Sequence, residues 1–210
     1  MDANELNARI RGSLAILVDS ADELRDLDQA LGDGDLGITI SAGSGAVIAA
    51  LEDLPDDATP TDVARASAKA FANANPSTMA ALVAGALLAG SRTWADRSDI
   101  TVTDAQRFAA AAAASIAQRG KTQLGDKTIY DGLAAVADAL ADTGDDDAAA
   151  AADRAIAAAA YAVESTKDLQ SRRGRASWLQ ERSIGIPDPG ATALLRFVEA
   201  WKAASGRPVA

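Results

Sequence analysis

The segment Leu27–Gly37 reads Leu-Asp-Gln-Ala-Leu-Gly-Asp-Gly-Asp-Leu-Gly and separates two segments of helical periodicity. Before it, Leu24, Leu27 and Leu31 recur on one helical face, and we expect Gly32 to end that helix as a C′ glycine. After it, a second helix is predicted over Ile38–Leu51. The segment therefore predicts a helix, a short reversing loop and a helix.

Three carboxylates distinguish this loop from an ordinary connection. Asp28 should lie in the last turn of the first helix, while Asp33 and Asp35 lie in a loop kept open by Gly32, Gly34 and Gly37. A reversal at Gly32 can bring the loop carboxylates back onto Asp28. Clustered ionised carboxylates repel one another unless cations neutralise them, and hard oxygen ligands suit Mg2+ together with a bound phosphate. The segment predicts a magnesium site.

Two other interpretations of this segment are open. Asp-Gly-Asp sequences are commonly solvated turns that bind nothing. An EF-hand would also hold a cation, but its ligand ladder is missing, because the fifth position is Ala30 when counted from Asp26 and Gly37 when counted from Asp33.

The rest of the chain also indicates helices. Leu6, Ile10, Leu14 and Leu17 recur at helical spacing near the N-terminus. Further helices are predicted over residues 61–71, 76–94, 103–119, 128–140, 147–166 and 189–204. The sequence has no convincing alternating strand and no long linker, so we expect an all-α fold in one domain over residues 1–210. The segment Asp142–Asp147 is predicted to be a solvated acidic loop whose last residue caps the next helix.

Composition excludes several kinds of chemistry. The 210 residues include no Cys and no His, which excludes disulfides, thiolate sites and any Ser-His-Asp triad. The formal net charge of −10 disfavours nucleic acid and anionic membranes as partners. The sequence shows no signal-peptide core and no apolar run long enough to span a membrane, so we expect a soluble cytoplasmic protein.

Three other segments are candidates for anion contacts. Asn75-Pro76-Ser77-Thr78 precedes an apolar helix, with Asn75 as the expected cap, and is either an ordinary capped start or a phosphate site. The loop Gly120–Thr128 lacks the order of a Walker motif. The long stretch Gly174–Ala191 carries Arg175 and Arg182, which are either phosphate contacts or surface ion pairs.

Taken together, these segments resemble the L subunit of dihydroxyacetone kinase, the nucleotide-binding component of that family. The matching segments occur in the family's order across nearly the whole chain, and they are Leu27-Asp28 with Gly32–Gly37, Leu124–Asp131, Gly174–Leu179 and Asp188–Ala191. The resemblance implies an antiparallel barrel of about eight helices, with the nucleotide at one end.

The resemblance also implies a role for each matching position. Asp28, Asp33 and Asp35 would hold two Mg2+ that bridge the phosphates of ADP or ATP, and so act in catalysis through metal together with Arg175. The implied nucleotide contacts fall along the phosphate chain (Leu36, Gly37, Ile38, Thr39), at a helix start (Ser77, Thr78), at the adenine and ribose (Gly120, Thr128, Ile129) and in the closing turn (Arg175, Asp188, Pro189, Gly190).

The activity that the resemblance implies is phosphoryl transfer to a small hydroxyketone. In the family, a histidine of a separate K-type subunit or domain holds the ketone, and since this chain has no His it would need such a partner. In members linked to the phosphotransferase system a third protein rephosphorylates bound ADP in place; in others ATP exchanges. A homodimer is left open.

Two departures from the family pattern lie at the phosphate end. Leu36 occupies a position where the family usually has His or Thr, and Asn75–Thr78 replaces a Gly-rich helix start. These departures leave the substrate open, including a tetrose or a sugar acid. Three alternatives also stay open: a non-catalytic nucleotide sensor or regulator, the nucleotide domain of a fatty-acid kinase, and a purely structural bundle.

Overall fold

A computed structural model describes residues 1–141 and 147–205, and the described residues confirm the all-α class. The helices are α1 Ala3–Leu17, α2 Ala21–Leu31, α3 Leu36–Glu52, α4 Pro60–Ala74, α5 Thr78–Ser91, α6 Val102–Gly120, α7 Ile129–Ala141, α8 Ala148–Lys167 and α9 Pro189–Ala204. Short 3-10 segments occupy Val18–Ser20, Arg92–Trp94 and Arg175–Ser183. Within these ranges, β-type pairing is confined to an isolated antiparallel bridge between Asp2 and Asp99.

Polar side chains fix where the helices begin. Thr59 caps α4 in a capping box with Asp62, and Thr101 and Asp104 form the same arrangement at the start of α6. Asp147 caps α8, because its Oδ1 accepts hydrogen bonds from the N–H groups of Ala149 and Ala150 at 3.0 and 2.9 Å. This confirms the predicted cap, while the rest of the acidic loop, residues 142–146, lies outside the described part of the chain.

The prediction for the start of α5 was wrong by two residues. Ser77, not Asn75, is the N-cap, and its Oγ accepts the N–H of Ala80 at 3.1 Å. Asn75 instead ends α4, and its amide donates to Thr39 Oγ1 at 2.9 Å. The cause is tertiary, since the Asn75 side chain bonds to α3 instead of to its own chain.

The helices close into a ring. Each of α3 to α8 packs against the next one in the chain, α9 packs against α1, and α1 packs against α3. Helices joined by short connections run antiparallel, so the starts of α3, α5 and α7 lie at one end of the ring. The start of α9 joins them, because Gly190 lies against Met79 and Ile129. Over residues 1–141 and 147–205 the ring contains eight helices, and α2 packs against two of them, α3 and α9.

The interior combines aliphatic clusters with close-packed alanines. One cluster joins α1 to α5 through residues such as Leu6, Leu24 and Leu51, each at most 2% exposed. In α8 the buried alanines recur at helical spacing, at positions 151, 155, 159 and 162. The alanine tract is thus a contact face where helices approach closely, beyond the helix propensity that alanine supplies.

Among the described helices, none combines the length and the apolar character that crossing a membrane would require.

Candidate nucleotide and metal site

The carboxylates of Asp28, Asp33 and Asp35 lie together between α2 and α3. One oxygen from each falls within 4.8 Å of the others. Asp33 is exposed, while Asp28 and Asp35 are half-buried. The predicted convergence of these side chains is confirmed, while their service as metal ligands stays a prediction.

The backbone around Gly32 and Gly34 produces this convergence. Gly32 ends α2 as predicted, but its φ of −153° is not the left-handed conformation typical of a C′ glycine, and its N–H donates to Asp28 O at 2.5 Å. The left-handed residue is Gly34, with φ +76°. After that turn, the N–H of Leu36 donates to Asp28 Oδ2 at 3.1 Å. Asp28 therefore anchors the first turn of α3.

The sequence suggested that Gly37 keeps the carboxylate loop open, but the structure shows that it does not. It lies inside the first turn of α3, and a Cβ built there would stand 2.3 Å from the carbonyl oxygen of Ala21 and 2.9 Å from Arg25 Cβ. The glycine is needed because the first turns of α2 and α3 touch at this point. That contact holds Asp28 and the carboxylate loop side by side.

Arg175 reaches this cluster from the connection between α8 and α9. Its guanidinium pairs with Asp33 and lies 3.8 Å from Asp35 Oδ2. Burial, followed by the nearby charge of Asp28, raises the pKa of Asp35. One guanidinium cannot balance three carboxylates, so the set retains net negative charge and offers hard oxygen donors. That combination fits a divalent cation such as Mg2+.

Four helix N-termini meet at this end of the ring. The starts of α3 and α5 are joined by the Asn75–Thr39 bond. A Cβ built at Gly190, at the start of α9, would lie 3.0 Å from Met79 Cε in α5 and 3.1 Å from Ile129 Cβ in α7. Helix N-termini present unpaired N–H groups and partial positive charge, so this end favours phosphate although the chain is acidic. The sequence analysis missed this convergence, because it depends on the alternation of eight helices.

The start of α7 is braced by Asp131. Its two carboxylate oxygens accept the N–H of Gly125 at 2.6 Å and of Thr128 at 2.8 Å. Thr128 Oγ1 in turn accepts the N–H of Tyr130 at 3.2 Å. Gly120 ends α6 just before the left-handed Lys121, with φ +50°. The predicted adenine and ribose residues thus lie at the end of α6 (Gly120), in the following loop (Thr128) and at the start of α7 (Ile129).

Asp188 is buried at the start of α9. Its Oδ2 accepts the N–H of Ala191 at 2.7 Å, and its own N–H donates to Thr166 Oγ1 at 2.9 Å. Burial is the main reason that the pKa of Asp188 rises to about 7, with a smaller contribution from the charge of Asp131. Pro189 and Gly190 are buried beside it. The predicted closing turn is therefore the capped start of a packed helix.

With this geometry established, comparison with known proteins assigns the family. A family model described as the DAK2 domain matches residues 30–203. The chain belongs to the DAK2 domain family.

Two curated relatives differ greatly in length. The L-erythrulose 1-kinase of Mycolicibacterium smegmatis is 34% identical over 186 residues, which cover 88% of this chain and 33% of that protein. The ADP-binding subunit DhaL of the PEP-dependent dihydroxyacetone kinase 1 of Listeria innocua is 35% identical over 170 residues, covering 80% of this chain and 79% of that subunit. The chain thus spans about a third of the first protein and most of the second. The resemblance to dihydroxyacetone kinase L subunits is confirmed.

A solved structure shares the fold. The dihydroxyacetone kinase from C. freundii, in complex with AMP-PNP and Mg2+, superposes with a TM-score of 0.74 at 22% identity, over 99% of this chain and 35% of that one. At this identity the likeness supports the helical architecture alone.

The structure places one of the two departures noted in the sequence in the hydrophobic core. The side chain of Leu36 is 4% exposed and belongs to the main apolar cluster. Gly37 and Thr39 are also buried, whereas Ile38 is 62% exposed. The side chains of Leu36 and Thr39 are therefore not presented to a ligand, and the assignment of these positions to the phosphate chain stays a prediction.

At the start of α5 the hydroxyls differ in availability. Ser77 is half-buried and its Oγ is engaged as the cap, while Thr78 is exposed. Arg182 is exposed within the Arg175–Ser183 segment. The long stretch Gly174–Ala191 is thus partly helical, and its 3-10 segment is kinked at Gln180, where φ is +52°.

Asp126 and Lys127 lie in the matching segment Leu124–Asp131, but the sequence indicated no role for either residue. Both are 1% exposed, which is unusual for charged side chains. The signal that could have identified them is their position directly before a helix start, in a loop punctuated by glycine. Their partners lie some 40 to 60 residues away in the sequence, so the contacts could not be anticipated.

Proposed function

We propose that this chain is the nucleotide-carrying component of a kinase of the dihydroxyacetone type. It binds Mg-ADP or Mg-ATP and takes part in phosphoryl transfer to a small hydroxyketone held by a separate K-type subunit. The observation that carries the proposal is the meeting of three carboxylates with four helix N-termini at one end of the ring. A carboxylate cluster alone, or a set of helix N-termini alone, is common. Together, the carboxylates suit a divalent cation and the helix N-termini suit the polyphosphate that the cation accompanies.

In this proposal Asp28, Asp33 and Asp35 hold Mg2+, two ions by the family resemblance. The metal supplies neutralisation of the charge on the phosphates and holds them in position. The chain itself supplies N–H groups at the starts of α3, α5, α7 and α9. Arg175 exchanges its carboxylate partners for phosphate oxygens, which its planar guanidinium can bind through two parallel hydrogen bonds. The turn at Asp188–Gly190 closes the site.

The partner follows from what the chain lacks. No histidine or cysteine is available to hold a ketone covalently. The relatives named DhaL are subunits of an assembly, and the erythrulose kinase is about three times as long as this chain's match to it. We therefore propose a partner subunit or domain that presents the ketone through a histidine, with a triose or a tetrose as the substrate class.

Nucleotide binding can be tested by isothermal titration calorimetry of Mg-ADP into the wild-type chain and the Asp33→Asn variant. We expect the variant to lose tight binding, because one anionic ligand becomes neutral. Asp57→Asn is the matched control, since Asp57 is exposed in the connection between α3 and α4. Unchanged affinity in Asp33→Asn, or equal loss in the control, would show that the metal assignment is wrong.

One observation favours a second function, a nucleotide-sensing regulator without catalysis. Leu36 replaces a His or Thr of the family pattern and turns its side chain into the core. A regulator would retain ADP but transfer no phosphoryl group to triose or tetrose ketoses, even with its native partner present. Transfer in that reconstituted mixture would favour the kinase.

A further inference from the structure

The connection between α8 and α9 is a loop with a closed neck. Its segment Leu169–Ser183, here termed the arginine loop, carries Arg175. The neck closes because the N–H of Ser171 donates to Ser183 Oγ at 2.9 Å. Just beyond it, the N–H of Gly185 donates to the carbonyl oxygen of Lys167 at 2.8 Å. The loop therefore leaves and rejoins the ring at one place.

The ammonium of Lys127 lies inside that neck. Nζ donates to the carbonyl oxygens of Leu169 at 3.0 Å and of Ser183 at 2.5 Å, which are the two ends of the arginine loop. The side chain is 1% exposed, and burial lowers the pKa of Lys127. Its backbone has φ +62°, a conformation that a non-glycine residue adopts at a cost. A buried charge with strained backbone persists where the surrounding structure requires it.

Asp126 holds the same loop further along. Its carboxylate Oδ2 accepts Arg173 Nε at 2.9 Å and the N–H of Gln123 at 3.1 Å. Its carbonyl oxygen accepts the N–H of Arg172 at 3.0 Å. Asp126 and Lys127 thus both hold the arginine loop: Lys127 binds its two ends, and Asp126 binds residues near its start.

These contacts lead directly to the carboxylate cluster. Arg173, held by Asp126, is followed by Gly174 with φ +64°, and then by Arg175, which pairs with Asp33 and Asp35. Three residues beyond Arg175, Trp178 is 82% exposed. Displacing the neck would move Arg175, because only one residue separates it from the Asp126 ion pair.

We propose that Lys127 and Asp126 are positioning residues that close the neck of the arginine loop and thereby fix Arg175 beside the carboxylates. The proposal rests on the proposed function insofar as Arg175 serves a nucleotide. Within the described part of the chain, the hydrogen bonds and ion pairs of Asp126 and Lys127 go to the arginine loop and not to the carboxylates of Asp28, Asp33 or Asp35, so both residues act through the loop.

The first test is a double-mutant cycle on Mg-ADP affinity with the variants Lys127→Met, Arg175→Ala and the pair. We expect each single variant to weaken binding about tenfold, and the pair to be no more than about twofold weaker than Arg175→Ala, because Lys127 acts through Arg175 and the two effects are therefore coupled. Lys69→Met is the control, since Lys69 is exposed on α4. Independent effects, which would multiply to about a hundredfold in the pair, would overturn the proposal.

The second test needs no nucleotide, so it separates this proposal from the proposed function. The three tryptophans, Trp94, Trp178 and Trp201, would be labelled with 5-fluorotryptophan, and the Trp178 resonance assigned from Trp178→Phe. In Lys127→Met we expect the 19F resonance of Trp178 to shift or broaden while those of Trp94, which is buried, and Trp201 stay in place. An unchanged Trp178 resonance would overturn the proposal.

If Lys127→Met does not fold, the resonance of the buried Trp94 will also lose its native position. Arg173→Gln then serves as the second variant. Arg173 is exposed, so its replacement leaves the core intact while removing the Asp126 ion pair. We expect the same selective change at Trp178 and a smaller loss of Mg-ADP affinity. If Arg173→Gln leaves both unchanged, the loop is not held as proposed. If wild-type chain binds no Mg-ADP while Trp178 responds, the proposed function fails and the loop assignment stands.

Discussion

Replacing Asp188 by Asn should remove a pH dependence of stability that the wild-type chain carries between about pH 4 and pH 7. Asp188 is 8% exposed, and burial raises its pKa from 3.8 to about 7. The folded state therefore binds a proton that the unfolded state has already released across this range. Stability is greatest below the unfolded pKa and falls as the pH rises through the folded value.

The magnitude follows from the shift. About 3 pKa units at 1.36 kcal/mol per unit correspond to about 4 kcal/mol of unfolding free energy lost between pH 4 and pH 8. Asn is neutral at every pH, nearly isosteric, and an equally good N-cap, so its Oδ1 can still accept the N–H of Ala191. We therefore expect Asp188→Asn to match the wild type near pH 4 and to exceed it by up to about 4 kcal/mol at pH 8.

Urea unfolding, followed by far-UV circular dichroism at pH 5, 6, 7 and 8, measures this difference. Asp147→Asn is the matched control, because Asp147 also caps a helix but is exposed, so its replacement should shift the curve equally at each pH. Carboxylates whose pKa is lowered, such as Glu23 and Asp62, act in a different window below about pH 4.5. Parallel wild-type and Asp188→Asn curves from pH 5 to pH 8 would refute the reasoning.

Three further predictions concern stability. Gly37→Ala should lower the unfolding free energy by about 1–3 kcal/mol, because the new Cβ would meet Ala21 O at 2.3 Å; thermal denaturation measures the loss. Gly45→Ala, also in α3 but with nothing within 4 Å of its Cβ, should instead raise it by about 0.5–1 kcal/mol, and a loss there would argue against a purely steric cause at Gly37. Glu23→Gln should cost about 0.5–1 kcal/mol at pH 7, because it breaks the two-bond pair with Arg196 at 2.7 Å. Pairing lowers the pKa of Glu23 below 4.5, so the difference should shrink as the pH falls from 4.5 through that lowered folded value, and a difference that stays as large in acid as at pH 7 would contradict it.

Much of the local structure was predictable from the sequence. Caps such as Thr59 and Asp147 accept hydrogen bonds from backbone N–H groups within three residues, so they depend only on residues that are close in the sequence. The convergence of Asp28 with Asp33 and Asp35 was also predictable, because fewer than ten residues separate them and glycines permit the reversal. The helix boundaries deviated where distant segments intervened, as at Asn75, whose amide bonds to Thr39.

Other features of the site had no local signal. Leu36 stands beside the carboxylates in the sequence, yet its side chain enters the core, because the turn of α3 that follows Gly34 directs it inward. Arg175 was a candidate for phosphate contact from its residue type alone, but its pairing with Asp33 depends on the closed neck of the arginine loop.

By itself, the sequence determined the all-helical class, helix caps such as Asp147 and the carboxylate cluster, since these depend on periodicity and on contacts between near neighbours. Only the tertiary structure decided that four helix N-termini face one end, that Asp188 is buried enough to retain a proton near neutrality, and that Lys127 lies in the neck of a distant loop. The physical reason is that desolvation and the summed field of helix ends depend on which surfaces pack together, and that packing joins residues far apart in the chain.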